Sequence, residues 1–232
     1  SLWKETLELQ HNQEQLLLNI GCTDSLNIAV FVPLYDKILM NYPHLDLSIQ
    51  SHHSSELYGM LSEHNIDIGF VYHQLHYKNI ISEKLFEEKL YLVQSEHPTV
   101  EKPIVHTDEL DPTKELFLSW DDNFQIWHDR WLSSVSRPHI SADTITLLDR
   151  LWKNADTWMI APESVIHELS RYRKVYVSEL KNPAPNRICY KIKHKYPKTT
   201  SKRAVELFEE ILEQLLHLER KEIPIGEIWG GQ

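Results

Sequence analysis

The chain has 232 residues, 41% hydrophobic and 25% charged, with only 6 glycines and 11 prolines, which excludes collagen-like, low-complexity and wholly disordered chains. At this length about 70% of the unfolded surface can be buried, enough for one large domain or two small ones. The net charge of −10 is spread along the chain, and such a surface repels phosphate and argues against direct nucleic-acid binding by these residues.

From residue 16 onward, strand patterns alternate with helix patterns. Residues 16–21 (LLLNIG) form an apolar run of strand length, followed by the polar turn Cys22-Thr23-Asp24-Ser25 and a helical pattern over 26–42. Pro33 lies inside that pattern and must start or bend the regular helix, because it lacks an N–H and crowds the preceding turn. Residues 45–51 (LDLSIQS) alternate as a half-buried strand, and Ser54 or Ser55 is positioned to cap the helix ELYGMLSEHN. IDIGFVY at 66–72 is apolar enough for the middle of a parallel sheet, and KLYLVQS at 89–95 forms the strand of the next segment.

A proline- and charge-rich connector then opens a second alternating series. Its strands are ELFLSW (115–120), HISAD (139–143), TWMIAP (157–162) and KVYVSEL (174–180). Its helices are FQIWHDRWLSSV, TLLDRLWKN and ESVIHELSRY, with Phe124, Trp127 and Trp131 at helical spacing in the first. The chain returns with NRICYKIKHKY as a strand and a helix from Lys202 to about 220, whose apolar stripe is Ala204, Phe208, Ile211, Leu212 and Leu215. Residues 1–15 suit a helix that needs an outside partner, and IGEIWGGQ reads as an unordered tail.

Cys22 and Cys189, the only cysteines, form neither a disulfide framework nor a zinc ligand set, and a reducing cytoplasm is the expected compartment. No run of about 18 apolar residues occurs, and SLWKETLELQ is an acidic amphipathic start rather than a signal sequence, so neither a membrane contact nor export is expected. Protonating all fourteen histidines would carry the charge from −10 to +4, which makes association sensitive to acidification. No G-x-S-x-G, P-loop, H-E-x-x-H or G-x-G-x-x-G occurs; the expectation is a protein that is not an enzyme and carries no metal or cofactor.

The segments LNIGCTDSL, NYPHLDLSI, HNIDIGFVY and EKLFEEKLYLVQSEHP, in this order and spacing, resemble the effector-binding domain of LysR-type transcriptional regulators. The last is the most specific, since it sets charge, apolar alternation and a His-Pro terminus over sixteen positions. The resemblance covers about 16–220 and departs from the family at Asn154 to Pro162, where the family carries glycines. It implies an α/β fold of two Rossmann-like lobes, like type 2 periplasmic binding proteins, joined by two crossover strands. By matching segments, lobe I is 16–94 plus 190–220, lobe II is 95–189, residues 1–15 end a linker helix and 221–232 form a tail. It further implies a small-molecule effector between the lobes and a homodimer or homotetramer that sets residues 26–51 against 124–135 of a partner, burying Trp127 and Trp131. DNA would be contacted only through an N-terminal winged helix-turn-helix that this chain lacks. The competing expectation is a solute-binding protein of a transport system.

In open α/β sheets ligands bind beyond the carboxyl ends of strands, where helix N-termini aim N–H groups at the cleft. That rule selects Thr23, Asp24 and Ser25 after the first strand, His53 and Ser54 after the second, and Tyr72 and His73 after the third. From the other lobe it selects Trp120 and Asp122, then Asp143 and Thr144, with Trp120 able to stack on a planar ligand. Asp24 places a carboxylate at an anion-holding turn, which favours a cationic or neutral effector over an anionic one.

Overall fold

Two sheets, each with its own apolar core, divide the chain. The computed structural model describes residues 14–132, 137–216 and 222–230; the expected linker helix, the end of the helix after Trp131 and the last turn of the C-terminal helix lie outside them. In the first sheet, strand β1 (Leu16–Cys22) runs parallel to β2 (Leu45–Ser51) and β3 (Ile68–Val71), and β11 (Arg187–His194) runs antiparallel to both β3 and β4 (Ile80–Glu88), giving the order β2-β1-β3-β11-β4. The second sheet has the order β12-β10-β5-β9, built from β5 (Leu90–Ser95), β9 (Trp158–Pro162), β10 (Val175–Leu180) and β12 (Gly226–Ile228), with β6 (Ile104–Val105) beside β10. β7 (Leu116–Phe117) and β8 (Ile140–Ser141) form a short parallel pair.

The first helical stretch has three parts: α1 (Asp24–Leu26), a π-helical turn (Asn27–Phe31) and α2 (Val32–Asn41). Pro33 stands in the first turn of α2, where a missing N–H costs nothing. The π-turn faces Asn27 inward, where Oδ1 accepts from Cys22 Sγ at 2.7 Å and from the Tyr35 hydroxyl at 2.6 Å while Nδ2 donates to Ser51 at 2.9 Å. This one side chain ties the ends of β1 and β2 to α2. Phe31 is fully buried and meets Phe70, Tyr35 and Phe208 edge-on, the last from α7 (Lys202–Leu216). The expected stripe on α7 is all buried in this core, joined by Val205. Helix α3 (Ser54–Ser62) lies so close to β1 that a Cβ on Gly21 would stand 2.6 Å from Leu57 Cδ2.

The second core is covered by α4 (Asp122–Trp131), α5 (Ile145–Leu151) and α6 (Glu163–Ser170). Five expectations are corrected here. β4 is a full strand where the charged text ISEKLFEE shows none, because it sits at the sheet edge with Glu83 and Lys84 turned to water. β5 belongs to the second sheet, so the chain changes sheet at Lys89 rather than after residue 94, and it changes back between Leu180 and Arg187. The strand expected over 115–120 shrinks to two residues, since Leu118 onward leaves the ladder to form the loop that carries Trp120. The expected tail instead returns to pair as β12 with β10, and Ile223 is buried in the second core. Trp127 is buried within the chain, its Nε1 donating to the Asn182 carbonyl at 3.1 Å, so Trp131 and Ile126 are the large apolar side chains of α4 left on the surface. Among the described residues no helix is long and apolar enough to cross a membrane.

The packing at Phe31 predicts that Phe31→Ala lowers unfolding free energy in urea by about 3–5 kcal/mol, the usual cost of emptying a buried aromatic site; a loss under about 1 kcal/mol contradicts the three-ring contact.

Candidate functional site

The carboxyl ends of β1, β2 and β3 point toward the second unit, which answers with the loops after β7 and β8. Between them lies a cleft of about 500 Å³, and all eleven residues selected from the sequence line it. The geometry rule thus brings Thr23, Asp24, Ser25, His53, Ser54, Tyr72 and His73 together with Trp120, Asp122, Asp143 and Thr144. Several of them, however, are occupied in ways the sequence does not show.

Asp24 reaches across the cleft. Its carboxylate accepts from the backbone N–H of Thr146 at 3.2 Å and from its hydroxyl at 2.9 Å, so it helps cap α5 of the opposite unit and is not a free charge offered to a ligand. Thr144 is the N-cap residue of that same helix. His53, not Ser54, holds the N-cap position of α3, because the helix begins one residue earlier than its pattern suggests. Ser54 instead accepts from the Tyr72 N–H at 3.0 Å and fastens the end of β3 to α3. Two further contacts span the gap: His73 Nδ1 lies 2.7 Å from Asp122, and His53 Nε2 lies 3.8 Å from Asp143. Trp120 is a buried wall, its Nε1 donating to the Ile160 carbonyl at 2.7 Å.

Sequence reasoning missed Arg187, the first residue of β11, which lines the cleft while only 2% exposed. Its guanidinium lies 3.3 Å from the centroid of the Tyr72 ring and 5.0 Å from that of Trp120, one ring from each unit. One amino group, Nη2, donates to the Ser25 hydroxyl at 3.0 Å. Nε and Nη1 are buried without an acceptor, and the nearest carboxylate oxygen, on Glu88, is 3.9 Å from Nη1. Burial raises the pKa of Glu88, against the pull of Arg187 and of two hydrogen bonds from Ser164. The one available signal was an arginine at the head of the returning strand RICYKIKH.

Chemically this is a binding surface of hydroxyls, imidazoles, carboxylates and one guanidinium. Neither cysteine adds a nucleophile: burial pushes both thiols well above their ordinary range, and Cys22 is spent on its bond to Asn27. The thiolate is the reactive form, so both are inert in the folded chain.

A family model described as the LysR substrate binding domain matches residues 11–216. Among curated proteins, the HTH-type transcriptional regulator CzcR of Bacillus anthracis is 22% identical over 163 residues, covering 69% of this chain and 54% of its own length. The chain therefore spans about half the length of that relative. Among solved structures, the reduced regulatory domain of OxyR from Pseudomonas aeruginosa superposes with a TM-score of 0.69 at 15% identity, covering 89% of this chain and 99% of that one. The regulatory domain of MexT from the same organism gives a TM-score of 0.71 at 11% identity, with 86% and 99% covered.

If Asp24 and Thr146 hold the two units together, a double-mutant cycle with Asp24→Ala and Thr146→Ala should show about 0.5–1 kcal/mol of coupling in urea denaturation; additive losses would mean the contact does not form. The thiol dye DTNB should leave Cys22 and Cys189 untouched in the folded protein at pH 8 and titrate both after denaturation. Rapid labelling of either one in the native state would contradict their burial.

Proposed function

The chain belongs to the LysR substrate-binding domain family, and from that premise we propose that it is the small-molecule-sensing and oligomerising part of a LysR-type transcriptional regulator. The observation that carries the reading is the cleft itself, a polar cavity of about 500 Å³ walled by both units and bridged by contacts that a ligand can replace. Its size falls within the range of metabolite sites. In this reading an effector binds between the units, shifts their relative setting, and so repositions winged helix-turn-helix domains that precede the chain in a full-length cytoplasmic regulator. A hundred-fold shift in such an equilibrium needs about 2.7 kcal/mol of differential affinity, which a few new hydrogen bonds supply. Family membership and likeness to a helix-turn-helix regulator support this reading over a transport solute-binding protein.

The surface supports an oligomer of two faces. Leu39 and Met40 on α2 are 66% and 82% exposed, and Ile126 on α4 is 70% exposed, with Trp131 beside it. A head-to-tail homodimer setting the α2 and β2 face against α4 of the partner would cover both apolar groups, and stacking such dimers gives a tetramer.

Two measurements test the reading. Native mass spectrometry and calorimetry against cell metabolites should reveal a ligand that changes Trp120 emission, identified by its loss in Trp120→Phe; a ligand bound elsewhere, or none, rejects the sensing cleft. Met40→Glu and Ile126→Asp should each convert a dimer to a monomer in analytical ultracentrifugation, whereas a dimer that tolerates both rejects this interface.

A further inference from the structure

The cleft walls hold more acids than bases, yet each acid has a partner. Asp24 is answered by Thr146, Asp121 by the Phe124 N–H at 2.7 Å, and Glu56 by Nδ1 of His52 at 3.1 Å. Asp122 and Asp143 face His73 and His53. Arg187 is the reverse case, a permanent cation with two buried donors, Nε and Nη1, that lack acceptors. Glu88 does not meet that need, because its oxygens turn to Ser164 and the closer one, 3.9 Å from Nη1, stands beyond hydrogen-bond reach of the guanidinium. Buried donors left without an acceptor are costly, and Glu88 balances the charge of Arg187 from 3.9 Å without taking up either donor, so what the site lacks is an oxygen acceptor for Nε and Nη1.

Two more observations point the same way. The Tyr72 hydroxyl is also buried without a partner. Helix α3 opens its N-terminus on the same wall, with Ser54 and Ser55 lining the cleft and no side chain capping it, which adds positive potential there.

Building on the sensing role proposed above, we propose that the cleft takes a carboxylate-bearing small molecule, anchored on the Arg187 guanidinium and the Ser25 hydroxyl. The planar fork of an arginine matches a carboxylate with two parallel bonds. Tyr72 and Trp120 cover the guanidinium from opposite units, so parting the units uncovers it, and the entering carboxylate takes up donors that are idle in the closed form. Asp24 keeps its negative charge while accepting from Thr146, so it works against the acid and the fork of Arg187 must outweigh it.

Phenylacetate, phenylacetamide and phenethylamine, one shape in three charge states, distinguish the possibilities by calorimetry and by ¹H–¹⁵N spectra of arginine side chains, with the Arg187 signal assigned by its loss in Arg187→Lys. Phenylacetate should bind at least roughly ten-fold more tightly than the amide or the amine and shift the Arg187 Nε–H resonance. Arg187→Lys, which keeps the charge but loses the fork, should weaken it by a similar factor, and Ser25→Ala by less. Amide or amine binding as tight as that of the acid, or acid binding undiminished in Arg187→Lys, overturns the anionic class while leaving a small-molecule cleft standing. If none of the three perturbs Arg187 or Trp120 at millimolar concentration, the carboxylate site is rejected, while the sensing cleft stands or falls by the metabolite screen above.

Discussion

A chain that serves two sheets must pass between them, and here two of its crossings meet at one pair of buried opposite charges. Glu88 ends β4 just before the chain leaves the first sheet, Arg187 begins β11 just after it returns, and the two stand opposite each other in the ladder. Each then reaches toward a different unit. Glu88 holds the start of α6 through Ser164, while Arg187 holds the start of α1 through Ser25. The crossings between the sheets and the floor of the cleft therefore share the same few residues. A change in the angle between the sheets must move the guanidinium relative to the rings of Tyr72 and Trp120.

The order of strands and helices, and the residues at strand ends, were legible because they depend on local periodicity and on a general rule about open sheets. All eleven residues so selected line the cleft. What stayed hidden depends on contacts between distant parts of the chain. The destination of Asp24 could not be read from the turn it occupies, because Thr146 lies in the other half of the sequence. Arg187 looks like any charged residue at a strand start until Glu88, Tyr72 and Trp120 are brought around it. The edge strand β4 and the closing strand β12 were missed for a different reason: one face of each meets water, and the apolar signal that marks a buried strand is diluted by glutamate, lysine and glycine.

Shared architecture does not transfer chemistry among such distant relatives. The two thiols illustrate the point. Cys22 serves as a donor inside a buried network with Asn27, Tyr35 and Ser51, and Cys189 is packed in the first core, so both are structural here whatever cysteines do elsewhere on this fold. The specificity of the cleft has to be argued from its own lining, which is set by where Ser25, Tyr72, Trp120 and Arg187 converge.

The polar contacts across the cleft are of modest strength. Asp24 with Thr146, His73 with Asp122 and His53 with Asp143 are solvent-exposed polar bridges, each worth about 1 kcal/mol or less. Alongside them Ile28 and Ala29 of the π-turn pack against the second core and add a small apolar contact. Contacts this few and this exposed are within the differential affinity that one small ligand can supply to displace them. A deeply interlocked interface would resist such displacement. The contacts between the units here are few, polar and partly histidine-based, and beside them Arg187 keeps two buried donors, Nε and Nη1, without an acceptor.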